Sequence, residues 1–151
     1  MIEKPLLYLS YFFKANRTEY YSRLMGVRLK GEWEEWIKFF LRGVVETAEI
    51  ANTAAVEIHK LHSKHLNLVQ ESKGTQLLGR VFHRFCLYPI QTMTALRKSI
   101  TDSTVPAIQR AIDRLIELGI LKEVTGQQRY RRYTYAEYLA ILTRDTATRI
   151  G

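Results

Sequence analysis

The 151-residue sequence has few of the features that define disulfide-rich or membrane proteins. It contains one cysteine, Cys86, which excludes an internal disulfide framework, and the apolar neighbours Phe85 and Leu87 favour a packing role for the thiol. Its longest apolar runs, such as 39–41, are far shorter than the roughly 20 residues of a membrane-spanning helix, and a signal-peptide pattern is lacking. We therefore expect a cytoplasmic protein without a membrane partner.

Acidic residues are fewer than basic ones, and the imbalance is uneven along the chain. The sequence has 23 Lys and Arg against 15 Asp and Glu, a net charge of +8, and residues 75–151 contribute +6 of it. A concentrated positive field attracts polyanions. It favours nucleic acid as a partner without excluding an anionic surface of another kind.

The second half contains the pattern of a winged helix-turn-helix. Residues 94–98 predict a short helix and 99–103 a turn, because Ser, Thr and Asp hydrogen-bond to their own backbone. Thr104 is suited to cap a second helix with Pro106 in its first turn. Apolar residues then recur at helical spacing up to Gly119, at Ile108, Ile112, Leu115 and Ile116.

A β-hairpin is predicted after that helix. Residues 120–125 and 130–135 are rich in strand formers, and 126–128 supply the tip. In modules of this kind the second helix enters the major groove, where Gln109 suits adenine and Arg110 suits guanine, while wing arginines suit phosphates or the minor groove. The predicted partner is double-stranded DNA, and the predicted DNA-binding residues are Thr104, Gln109, Arg110, Arg114, Arg129, Arg131 and Arg132. A winged helix that docks a protein is the alternative, because a fold does not fix a function.

The first half predicts helices that carry many aromatic residues. Residues 6–25 show helical spacing, 26–31 a break, and a long helix starts at Trp33 and continues for about 35 residues. We expect a mainly α chain with a helical segment over 1–70 and a winged helix with a small β-hairpin over 75–143. The aromatic residues offer more apolar area than a pair of helices can bury, so another copy of the chain, a partner or another segment should cover part of it.

Several segments of the first half resemble the region that follows the active-site motif of Fic-family proteins. The resemblance lies in Pro5-Leu6-Leu7-Tyr8-Leu9-Ser10, Tyr20-Tyr21, Val27-Arg28, Gly31-Glu32-Trp33-Glu34-Glu35-Trp36 and Phe39-Phe40-Leu41-Arg42-Gly43-Val44. Many bacterial Fic proteins end in a winged helix, which 111–115 and 117–121 resemble. The resemblance implies an incomplete Fic fold in the first half, and it implies that Tyr20 and Tyr21 wall the nucleotide pocket of a complete protein.

The activity that this resemblance implies needs a motif that the sequence lacks. Fic enzymes transfer AMP from ATP, with Mg²⁺, to a protein hydroxyl through the motif HxFxDGNGR. Here His83-Arg84-Phe85 is followed by Cys86-Leu87, and no Asp-Gly or Asn-Gly pair occurs. Without the histidine base and the phosphate-binding turn, we expect no transfer chemistry and no cofactor for this chain. It is interpreted as the C-terminal portion of a Fic-family protein.

Other candidate sites are weak. His59, His62 and His65 repeat every three residues near the end of the long helix, but no nearby cysteine completes a metal site, so a solvated polar face is expected. No catalytic residues are predicted. Three hypotheses remain: DNA binding or target recruitment, a regulatory or protein-docking half of a protein-AMPylating enzyme, and a helical module that pairs two copies of the chain.

Overall fold

The computed structural model describes residues 4–72, 74–126 and 131–147, with side chains from 9 to 144. Over these residues it is mainly helical, with seven helices and one three-stranded antiparallel sheet, which confirms the predicted fold class. The chain divides into a first compact unit that extends to Val56 and a second unit, Glu57–Ala147. None of the helices in the described ranges is long and apolar enough to span a membrane.

The first unit contains α1 (Lys4–Ala15), α2 (Arg17–Lys30) and the beginning of α3 (Trp33–Glu71). The predicted break over 26–31 is mostly wrong, because α2 continues through Gly26 and ends at Gly31, which adopts a left-handed conformation with φ 71°. A helical glycine costs only about 1 kcal/mol against alanine, so Gly26 does not stop the helix. The predicted long helix is confirmed, since α3 has 39 residues.

Aromatic rings and ion pairs hold the helices of the first unit together. Phe12 packs on Phe39 with ring centroids 5.3 Å apart. Phe12 also lies over Gly43, where an added Cβ would come within 2.5 Å of the ring. Arg42 binds Glu19 at 2.6 Å and Arg23 binds Glu35 at 3.2 Å, which sets α2 antiparallel to the start of α3.

The second unit has the topology of a winged helix-turn-helix. It contains residues 57–71 of α3, then the following elements in chain order: α4 (Gln76–Leu87), β1 (Ile90–Thr92), α5 (Met93–Ser99), α6 (Val105–Glu117), β2 (Lys122–Glu123), β3 (Arg132–Thr134) and α7 (Ala136–Ala147). Both β1 and β2 pair antiparallel with β3, so the strand order is β1-β3-β2. The predicted hairpin is therefore present, with shorter strands and with β1 as an additional edge.

The core of the second unit joins helices, strands and the end of α3. Val81, Phe85, Leu96, Ile108 and Ile112 are buried between α4, α5 and α6. Ile120, Tyr133 and Tyr135 extend this core to the sheet, and Val69 extends it to α3. The sequence predicts a boundary between residues 70 and 75, at the end of α3. The compact units instead divide within α3, because residues 57–71 of this helix belong to the second unit. The two-domain assignment itself stays a prediction.

Candidate nucleic-acid interface

Helix α6 is fixed by its apolar side and by its capping residue. Ile108, Ile112 and Leu115 recur at helical spacing and are fully buried against α4 and α5. Thr104 caps the helix, because its Oγ1 accepts a hydrogen bond from the Ala107 N–H at 3.4 Å. After α6, Gly119 adopts a left-handed conformation with φ 74° and turns the chain toward β2. The opposite side of α6 is thereby left at the surface.

The outward side of α6 alternates basic and acidic residues. Arg110, Asp113, Arg114 and Glu117 are all exposed, and Arg114 binds Glu117 at 2.8 Å. Within the described part of the chain Arg110 forms no ion pair. Arg110 and Arg114 also line a groove of about 520 Å³ beside Gly74 and Thr75, just before α4. Arg110 is thus the cation on this helix most available to an external anion.

Gln109 lies on the flank of α6 and is held at both ends of its amide. Its Nε2 donates to Asp113 Oδ1 at 2.8 Å, and its Oε1 accepts from the Tyr133 hydroxyl at 3.2 Å. Tyr133 belongs to β3, so this contact joins the hairpin to α6. Gln109 can bind a base only if it releases both partners. The sequence alone does not reveal these two contacts.

The two described wing arginines lie at the beginning of β3. Arg131 directly precedes the strand, and Arg132 is its first residue. Arg131 Nε is 3.7 Å from Glu123, the residue paired with Tyr133 across the hairpin. Arg132 is exposed, and its backbone N–H donates to Thr125 Oγ1 at 3.2 Å. Arg129 lies outside the described residues.

The second unit carries further cations that are not among the predicted DNA-binding residues. Arg97 and Lys98 are exposed at the end of α5, and Lys122 is exposed on β2. Arg80 on α4 forms a bidentate pair with Asp102, at 2.7 and 2.9 Å, which pins the turn between α5 and α6. Arg97 and Lys98 could have been selected from the sequence, because they are basic residues at the end of the predicted short helix.

Tyr20 and Tyr21 belong to the aromatic cluster of the first unit. The Tyr20 ring lies 5.2 Å from that of Phe13 and 5.6 Å from that of Trp36. Tyr21 is exposed, and the Arg17 guanidinium lies 5.6 Å from its ring centre. Their assignment to a nucleotide pocket stays a prediction that depends on the family resemblance.

The expected solvated histidine face is wrong for His65. This side chain is buried, and its Nδ1 lies 2.7 Å from the Tyr135 hydroxyl. His62 is half-buried and stacks on Tyr135, while His59 is exposed. The reason is that the end of α3 packs within the second unit. Helical spacing alone does not show this packing, and it therefore predicted exposed histidines. In the described ranges, no three His, Cys, Asp or Glu side chains converge as a metal site.

Cys86 packs against the core of the second unit as expected. Burial raises the pKa of its thiol to about 11, which keeps it protonated near neutral pH. The thiolate, which is the nucleophilic form, is therefore disfavoured at this position.

No protein-family model matches the sequence.

Proposed function

We propose that this chain is a DNA-binding module that contacts duplex DNA through α6 and the wing. The observation that carries the proposal is the exposed side of α6 in a winged helix-turn-helix, with Arg110 outside any ion pair of the described residues and further cations on the wing and α5. A helix of this diameter fits the major groove, and flanking cations suit the phosphates on either side. A cytoplasmic location is part of the proposal.

The residues have different roles in this proposal. Arg110 is the base reader, since a guanidinium binds the two acceptors of guanine in the major groove. Arg114, Arg129, Arg131 and Arg132 contact phosphates, and Thr104 places the start of α6 next to the backbone. Gln109 positions the wing relative to α6 through its contacts with Asp113 and Tyr133.

Salt dependence tests the phosphate contacts. Each cation that neutralises a phosphate adds about 0.9 to the slope of log K against log salt concentration, so replacing Arg129, Arg131 and Arg132 together by Ala should lower that slope by up to about 3. The measurement is fluorescence anisotropy of the full chain with labelled duplexes of several sequences. The affinity for all of these duplexes should fall by the same factor.

A matched control uses cations of the first unit. Arg28 and Lys30 are exposed on α2, and their double replacement by Ala lowers the net charge without touching the winged helix. Its salt slope should equal that of the unchanged chain. An equal loss in both variants, or no binding of the unchanged chain at low salt, would contradict the proposal.

The preference of the chain for particular DNA sequences tests the role of Arg110 as a base reader. After selection of a preferred site from a random duplex pool, Arg110→Ala should cost about 1–3 kcal/mol on that site and leave affinity for unrelated duplexes nearly unchanged. Arg97→Ala, at an exposed position on α5, is the matched change and should weaken both kinds of duplex equally. Equal losses from Arg110→Ala on both duplexes would remove its assignment as a base reader.

A second candidate function is that of the regulatory, C-terminal portion of a Fic-family protein-AMPylating enzyme, whose winged helix docks a target protein or a second subunit. The segments quoted above for the resemblance favour it, and so does the large apolar surface of the first unit. The ATP and Mg²⁺ of such an enzyme belong to a motif that this sequence does not contain. Reading the DNA upstream of the first codon for an in-frame HxFxDGNGR tests this candidate directly.

A further inference from the structure

One side of α3 in the first unit forms a long exposed apolar stripe. At 100° per residue, its members fall within an arc of about 100°. All of them are exposed except Ala51, which is half-buried. This α3 stripe consists of Trp33, Ile37, Phe40, Leu41, Val44, Ala48, Ala51 and Ala55. Helix α2 contacts another side of α3, through Glu35 and Arg42. Helix α1 contacts Gly43 and, at one edge of the stripe, Phe40, whose ring centroid lies 6.2 Å from that of Phe13.

Side-chain size changes along the α3 stripe. Large residues occupy its first half, from Trp33 to Leu41, and alanines occupy its second half, from Ala48 to Ala55, with Val44 at the centre. Two copies that pack antiparallel therefore bring the large half of each onto the small half of the other, which interdigitates well. A parallel pair would place Trp33 against Trp33 and leave a void between the alanines.

We propose that two copies of this chain pair through their α3 stripes, antiparallel and two-fold symmetric about Val44. Such an isologous contact uses the same surface twice. The proposal goes beyond DNA binding and does not depend on it. If both hold, the pair presents two winged helices, which suits a site with two half-sites.

The mass of the full chain in solution tests the pairing. Light scattering after size-exclusion chromatography should give twice the mass of one chain, and Leu41→Glu with Val44→Glu should give a single chain, with the dimer Kd raised about thirtyfold or more. Leu29→Glu is the control, because Leu29 is 70% exposed on α2 and outside the α3 stripe. This control should remain dimeric, and circular dichroism checks that each variant is folded.

Cross-linking tests the orientation without a disruptive charge. In a Cys86→Ala background, Val44→Cys should form a disulfide with its own copy, because residues at the two-fold axis come within bonding distance. Ile37→Cys and Ala51→Cys should each fail alone and cross-link when mixed. In a parallel pair each of the three would cross-link with itself.

Several outcomes would overturn the proposal. A single-chain mass for the unchanged protein does so, as does a dimer that survives the Leu41 and Val44 changes or dissociates equally with Leu29→Glu. Self-cross-linking at Ile37→Cys replaces the antiparallel pair by a parallel one. If the unchanged chain is a monomer but binds an upstream-encoded helical segment at the α3 stripe, that segment and not a second copy is the occupant.

Discussion

His65 and Tyr135 form a buried, hydrogen-bonded pair in the second unit. The Tyr135 hydroxyl remains protonated, because burial raises its pKa, and it donates to His65 Nδ1 when the imidazole proton is on Nε2. That nitrogen lies 3.9 Å from Glu137 Oε1. This hydrogen bond therefore provides a partner for two polar groups that are buried away from solvent, the His65 Nδ1 and the Tyr135 hydroxyl.

Removing the hydroxyl should cost more than an average surface change. Tyr135→Phe leaves the His65 Nδ1 buried without its partner, which costs about 1–3 kcal/mol of the free energy of unfolding. Urea denaturation followed by circular dichroism measures this loss. Tyr88→Phe, at an exposed tyrosine, is the control and should change stability little. A loss no greater than that of the control would show that the pair does not stabilise the fold.

The same histidines should make stability depend on pH. Burial lowers the pKa of His65, against an opposing effect of Glu137, and burial lowers the pKa of His62, assisted by His65 and His59. The folded state thus resists a proton that the unfolded chain takes up near pH 6.5. Stability from this source is complete above that pH and is lost as the pH falls from about 6.5 toward the lower folded values.

Urea midpoints at pH 7.5, 6.5 and 5.5 measure this effect. The unchanged chain should lose stability over this range, and the double variant His62→Gln with His65→Gln should lose less. His83→Gln, at an exposed position on α4, is the control and should behave as the unchanged chain does. A double variant with the unchanged pH dependence would assign the effect to other groups.

At the scale of elements, helices whose ends carry local signals could be predicted from the sequence. Helix α6 begins after its cap at Thr104 and ends just before Gly119, and both signals lie within the helix or beside it. Strand β1 was missed because it has three residues, too few for alternation to show, and because its partner β3 lies about 40 residues away. Local patterns carry no information on such pairing.

The candidate site was predictable to a similar extent. The position of Arg110 follows from helical spacing, whereas the hydrogen bond from Tyr133 to Gln109 joins residues that are 24 apart. The burial of His65 likewise depends on α7 and the sheet, which pack there only in the folded chain. Contacts of this kind decide which exposed-looking residues are free to bind a partner.

The start of α6 offers a prediction that separates capping from DNA binding. Thr104→Ala should lower the free energy of unfolding by about 1 kcal/mol, because the Ala107 N–H loses its acceptor. Thr104→Asp retains a cap and should keep stability, yet it should weaken DNA binding by adding a negative charge near the phosphates. Denaturation and anisotropy of both variants provide the measurement. If Thr104→Asp binds DNA as the unchanged chain does, Thr104 lies outside the interface.

At the scale of the whole molecule, buried apolar side chains are distributed unevenly. Among the described side chains of the first unit, the buried apolar ones are Phe12, Phe39 and Ala54. The core of the second unit includes residues from α3, all four later helices and the sheet. Local stability follows such burial, because opening a poorly buried helix exposes little apolar surface. The two units should therefore differ in how often they open.

Hydrogen exchange measures that difference along the whole chain. Amides of α1 and α2 should exchange at least about tenfold faster than those of α4 and α6. Pairing of two copies adds a second effect, since protection in residues 33–55 should then rise with protein concentration while that of α6 stays constant. Leu41→Glu with Val44→Glu should remove the concentration dependence and leave the contrast between the units. Equal protection in α2 and α6 at low concentration would contradict the first expectation, because the described residues of the first unit bury much less apolar surface than the core of the second unit.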